Sequence, residues 1–254
     1  MEQTKQKNPK KLLYGVLSLV FWIAVWQLAA IAVGREVILP APFAVCKRFF
    51  ELAATAPFWR ATLFSLLRIM GGYAAGVIVG ALLGAAMYFA KPMRVLFSPF
   101  LTVVKSTPVA SFILIAYFII TDTAIPIFIT FLMVLPMIAA SVLTALSSTD
   151  PMLLEMAKVY RFSFGKKLRA LYIPTVLPQF LGQALTALGF GWKAGVAAEV
   201  LCTPRDSIGK YLYEAKNYLE TVDTFAYTLL IVLISLALEK LLRTLTRRMH
   251  GGAA

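Results

Sequence analysis

Histidine and cysteine are almost missing from this chain. It has one histidine, His250, and two cysteines, Cys46 and Cys202, in 254 residues. Structural zinc sites draw four ligands from these two residue types. No metal site is expected, and no disulfide scaffold. Charge is also scarce: 15% of residues are charged and 60% are hydrophobic. A soluble domain carries about 25% charged and about 45–50% apolar residues. A soluble globular enzyme and a disordered chain are both excluded. Catalytic signatures are missing too. No GxxxxGK[ST] phosphate loop, no HExxH and no GxSxG occurs, so the chain has no sequence basis for hydrolysing a nucleotide itself. Any energised work must draw on another chain.

What is present is apolar sequence in long blocks. Residues 12–34, 69–90, 123–149 and 171–192 contain no Asp, Glu, Lys or Arg. A bilayer-spanning helix needs about 20 mostly apolar residues. Outer-membrane barrel strands would be about 10 residues long and alternating. The fold class is therefore all-α and polytopic. Six spans are predicted, at roughly 12–33, 62–89, 96–120, 124–146, 176–202 and 222–243. Pro108 should kink the third, because proline removes a backbone donor and clashes with the preceding turn. The first apolar run is too long for a signal peptide and reads as a retained helix behind a basic segment, 1–11. The membrane-spanning domain covers 12–249 and a Gly/Ala tail 250–254.

The formal net charge of +13 follows the spans rather than a nucleic-acid surface. Lys5, Lys7, Lys10, Lys11, Lys91, Arg94, Lys158, Arg161, Lys166, Lys167, Arg169, Lys240, Arg243, Arg247 and Arg248 fall on one side. Arg35, Lys47, Arg48, Arg60, Arg205, Lys210 and Lys216 fall on the other. The positive-inside rule places the richer side, with both termini, in the cytoplasm. Two segments on the poorer side, 42–54 and 208–219, have amphipathic spacing. They are interfacial helices or the walls of a vestibule where a partner docks.

Span two carries Gly72, Gly76, Gly80 and Gly84, one every four residues. That face lets another helix approach closely. Arg68, Lys105, Lys193 and Glu199 fall within spans, where charge is costly and marks a functional candidate. Arg68 is near enough to an end to snorkel. Lys193 and Glu199 are about 240° apart around one helix, so each needs a partner elsewhere. Lys105, Lys193 and Glu199 either line a solute path or form interhelical pairs.

The loop between spans four and five, 147–175, is the most informative stretch. Asp150-Pro151 is a helix start, an acidic N-cap followed by proline at the first helical position. That helix should run to about Tyr160. Ser163 caps a second, 164–172, with Phe164, Leu168 and Leu171 on one stripe and Lys166, Lys167 and Arg169 facing away. Pro174 and Pro178 mark the start of span five.

This loop resembles the EAA loop of ABC importer permeases. Glu155-Met156-Ala157 matches its opening, and 171–174 (LYIP) approximates its close. The glycine of that family falls at Arg161 here, while Gly165 comes four residues later, and Ile173 replaces the closing leucine. Three further elements extend the resemblance. Ile38-Leu39-Pro40-Ala41-Pro42 looks like the external element after the first span. Lys105-Ser106-Thr107-Pro108 looks like the polar-proline break. The stretch 192–200 (WKAGVAAEV) is similar to the fifth-span signature of the nitrate/sulfonate/taurine branch.

The resemblance implies a type I importer permease in a bacterial cytoplasmic membrane. It would work with a second permease, as a homodimer, and with an extracytoplasmic solute-binding protein. Two cytoplasmic ATPases would bind ATP and Mg; this chain would hold no cofactor. Glu155, Ala157, Arg161 and Gly165 would organise coupling. Phe164, Lys166, Lys167 and Leu168 would contact the ATPase, with Pro174 closing the loop. The implied solute is a small anion such as an aliphatic sulfonate, taurine or nitrate, with a vitamin-precursor heterocycle as the alternative. A self-sufficient channel or secondary carrier fits the loop less well.

Overall fold

The computed structural model describes residues 9–251, with no side-chain description for 9–12, 245 and 247–251. Lys5, Lys7 and residues 252–254 lie outside the described residues, as do the side chains of Lys10, Lys11, Arg247, Arg248 and His250.

Among the described residues eleven α-helices follow in order: α1 (Pro9–Val33), α2 (Pro42–Ala53), α3 (Ala56–Phe89), α4 (Lys91–Ser106), α5 (Val109–Tyr117), α6 (Ile125–Ser147), α7 (Pro151–Val159), α8 (Phe164–Lys167), α9 (Ile173–Cys202), α10 (Ile208–Asn217) and α11 (Thr221–Gly251). Five segments are long and apolar enough to span a bilayer: Leu13–Val33, Ala56–Phe89, Ile125–Ser147, Phe164–Cys202 and Thr221–Thr244.

The third predicted span is a broken one. α4 and α5 bend by 101° across Thr107 and Pro108, far more than a kink. Proline disfavours helical backbone at the residue before it, and Thr107 is extended (φ −83°, ψ 133°). The fifth span also differs from expectation. α8 runs straight into α9 through a π turn, Leu168–Tyr172, in which the Ile173 amide donates to the Leu168 carbonyl. Pro174 has no N–H to extend the α-pattern, and a wider turn absorbs the mismatch. The two prolines therefore sit inside one continuous helix instead of separating two.

α6 is the central helix, with α3 on one side and α9 on the other. Glycine makes both approaches possible. A Cβ on Gly84 would lie 2.5 Å from the Ala139 carbonyl oxygen, and one on Gly80 would lie 2.8 Å from that of Leu135. Gly72 meets the Ile127 carbonyl and Gly76 the Val134 side chain in the same way. Gly191 and Gly195 of α9 close onto Thr130, which Gly72 of α3 also meets. In lipid the hydrophobic effect does not hold helices together, so this close packing carries much of the association. The peripheral α1 contacts the rest mainly through Trp26. Its indole donates to the Pro40 carbonyl (3.1 Å) and stacks on Phe225 at 5.8 Å.

Candidate functional site

Three groups of residues carry candidate function, and the fold keeps them apart.

The first is a buried charge clamp. Glu199, fully buried on α9, accepts a hydrogen bond from the Ser65 hydroxyl (2.6 Å) and one from the Gly209 amide (3.4 Å). Arg68 of α3 faces its other oxygen at 3.4 Å. The same guanidinium donates to the carbonyls of Arg205 (2.7 Å) and Asp206 (3.1 Å). Ser65 in turn accepts from the Ile208 amide (2.9 Å). Arg68 is thus held by a buried carboxylate and by two loop carbonyls just beyond the end of α9. The carboxylate sits at the amino end of α10, where free amides and the helix dipole favour an anion. Gly209 is pressed against the Glu199 backbone, with no space for a Cβ. The clamp joins α3, α9 and α10, and it includes strained backbone at Thr203 (φ 47°) and Asp206 (φ 50°). Arg60 adds a surface pair to Asp206 at 2.9 Å. Sequence spacing signalled that Glu199 needed a partner; nothing in it pointed to Ser65 or to the carbonyls.

The second is a stripe along α9. Gln179, Gly182, Thr186, Phe190, Lys193, Ala197 and Leu201 are exposed, while residues between them, such as Ala187, Trp192 and Ala198, are buried. The spacing alternates between three and four, so they form one face turned away from the rest of the chain. Among the described residues Lys193 has no ion-pair partner. The six-residue separation from Glu199 thus resolves into two environments. Lys105 is exposed in the last turn of α4, where the helix dipole favours a cation.

The third is the loop, 147–175. Asp150 caps α7 by accepting from the Met152 amide (2.8 Å), and Ser163 caps α8 by accepting from the Lys166 amide. α7 ends in a Schellman turn: Arg161 N–H donates to the Lys158 carbonyl (3.0 Å) and Phe162 N–H to that of Ala157 (2.9 Å). This turn needs a left-handed residue at its centre, usually glycine. Arg161 fills it at φ 51°. The position where the resemblance puts a glycine is thus left-handed in this chain, with arginine in it. Arg161→Gly should therefore stabilise the chain by about 0.5–1 kcal/mol, the relief of left-handed strain less glycine's extra backbone entropy. Thermal melting in detergent checks the sign, and a lowered melting point would contradict it.

Ala157 is fully buried, which explains a small residue there. The second stripe of the loop is only partly covered by the bundle, with Phe164 63% exposed. The Phe164 ring meets Phe89 at 5.8 Å, Leu171 is buried, and Leu168 lines a groove against α3 and α6. α7 adds a broader outward apolar face: Met152, Leu153, Met156 and Val159, with Tyr160 beside them, are exposed. Glu155, Gly165 and Pro174 are exposed as well.

Comparison with known proteins gives these sites a context. Residues 76–251 match the family described as binding-protein-dependent transport system inner membrane component. The taurine transport system permease of Escherichia coli is 28% identical over 236 residues, 89% of this chain and 85% of that one. A putative aliphatic sulfonates transport permease of Bacillus subtilis is 22% identical over 96% of this chain and 90% of its own length. The nitrate import permease of Synechococcus elongatus is 25% identical over 83% and 80%. Among solved structures, an importer of the acidic polysaccharide alginate superposes with a TM-score of 0.55 at 17% identity, covering 96% of this chain and 98% of that one. An amino acid ABC transporter superposes with a TM-score of 0.57 at 16% identity, over 73% and 91%. The all-α spans, the broken third one and the loop between the fourth and fifth thus have a known setting, and the chain belongs to the binding-protein-dependent inner-membrane transport family, as a permease and not an enzyme.

Proposed function

We propose that this chain forms half of the solute path of an ATP-driven importer for a small anion, an aliphatic sulfonate or taurine above all. The exposed α9 stripe carries this reading. Gln179, Thr186 and Lys193 are poor neighbours for lipid, where an unpaired charge is expensive. They suit a water-filled path between two permease copies. Lys193 then offers a fixed positive charge that an anion passes without being held, since transport needs sites weak enough to leave. Lys105 stands at the broken span as a second cation. Glu199 is excluded from the path by its burial and its three partners.

The energy comes from two cytoplasmic ATPases that bind ATP and Mg, and an extracytoplasmic protein delivers the solute. The basic residues put both termini and the 147–175 loop in the cytoplasm. The sulfonate, taurine and nitrate permeases among the relatives support the anion assignment.

Uptake by the reconstituted complex tests it. Lys193→Met should lower sulfonate uptake about tenfold or more, equivalent to roughly 1.4 kcal/mol or more of lost charge stabilisation. Lys193→Arg should keep a large part of it. Full activity in both variants removes Lys193 from the path, and uptake of only a cationic solute overturns the anion assignment.

A further inference from the structure

One feature of the bundle is used by neither the path nor the loop contact. A groove of about 270 Å³ opens between α3, α6 and the start of α9. Ala81, Ala85 and Phe89 form one wall, and Leu146, Leu168 and Tyr172 line the other side and the mouth. Its surface is apolar throughout. The two alanines of α3 and the π turn make it: small side chains open the space, and the wider turn brings Leu168 and Tyr172 over its end.

Three cations neighbour the residues of that end in the chain. Lys91 lies two residues beyond Phe89, and Lys167 and Arg169 flank Leu168. The Phe89–Phe164 ring contact, at 5.8 Å, draws the two basic groups to the same end of the groove. Lys91, Lys167 and Arg169 have no ion-pair partner among the described residues. Of the acids in the neighbouring loop, Asp150 caps α7 and Glu155 lies on the exposed side of α7.

We propose that the groove holds an acyl chain of an anionic phospholipid, with the headgroup on Lys91, Lys167 and Arg169. Apolar space beside unpaired surface cations is the pattern that binds anionic lipid between spans. A second copy of this chain fits less well, because it would bring its own Lys91, Lys167 and Arg169 to the same depth. The arrangement also explains the two faces of the 164–172 segment, the apolar one on the groove and the basic one toward headgroups.

The test is native mass spectrometry of the full-length chain in mild detergent, titrated with phosphatidylglycerol or with phosphatidylcholine of identical acyl chains. Phosphatidylglycerol should be retained preferentially. Lys167→Gln with Arg169→Gln should weaken its binding roughly thirtyfold, about fivefold for each cation near an anionic headgroup. Ala85→Trp fills the groove and should remove the tight adduct while the melting point is kept. If that variant does not fold, Ala81→Phe is read in its place. Equal retention of the two lipids overturns the proposal. So does tight phosphatidylglycerol binding by a folded, filled variant, which would mean surface charge alone. Conversion of a dimer to a monomer by the filling substitution would assign the groove to a second copy.

Discussion

Arg68→Met should be among the most damaging single substitutions in this chain, costing about 3–5 kcal/mol, the usual result of leaving a buried charge without its partner. Glu199 is fully buried, and the Arg68 side chain is only 12% exposed. At 3.4 Å the pair itself is not tight. Most of the damage would come from the stranded carboxylate and from two loop carbonyls that lose their donor. Glu199→Gln should be milder. The amide fills the same space and can still accept from Ser65 and Gly209, while Arg68 keeps the carbonyls of Arg205 and Asp206. The double variant Arg68→Met/Glu199→Gln should be more stable than Arg68→Met alone, because the second change removes the stranded charge. Contacting residues are expected to be non-additive in this way. Melting of the four proteins in one detergent measures the cycle. Strict additivity, or a Glu199→Gln protein worse than Arg68→Met, would show that the clamp is not electrostatic.

The clamp also marks how far sequence reasoning reaches in this protein. Span number, the glycine face of α3 and both caps of the loop follow from local rules: apolar length, four-residue spacing, and Asp150 or Ser163 before a helix. Those rules act within one helix, or at one helix end, so a linear pattern exposes them. The partner of Glu199 lies 131 residues away, on a helix whose own pattern contains nothing acidic to suggest it. Arg68 looked free to reach water for the same reason. The 101° break at Pro108 was undersized, because proline dictates where a helix stops and not where the next one points. The π turn was invisible: two prolines early in a span read as its boundary, and only a change of hydrogen-bond register shows how a helix continues through them. Arg161 went the other way. The family pattern identified the position, and the turn there is left-handed although arginine fills it.

The loop gives the last large effect. Its second stripe, expected to meet the ATPase, is divided: Leu171 is buried and Leu168 lines the groove, while Phe164, in ring contact with Phe89, is 63% exposed. The broader exposed apolar face is that of α7, with Met152, Leu153, Met156 and Val159 exposed. Methionine suits such a face, since its flexible thioether packs against irregular surfaces. Met156→Asp should therefore release the ATPase from the purified complex. A central contact of this kind is worth about 2 kcal/mol or more, or roughly thirtyfold in affinity. The same substitution should leave the melting point of the permease nearly unchanged, within about 0.5 kcal/mol, as for other exposed positions. Leu168→Asp should behave in the opposite way. It puts a carboxylate at an apolar groove and should destabilise the permease before it affects the ATPase. Co-purification and melting, measured on both variants, separate the two faces. An intact complex with Met156→Asp, together with a lost complex and an unchanged melting point with Leu168→Asp, would return the contact to the 164–172 segment.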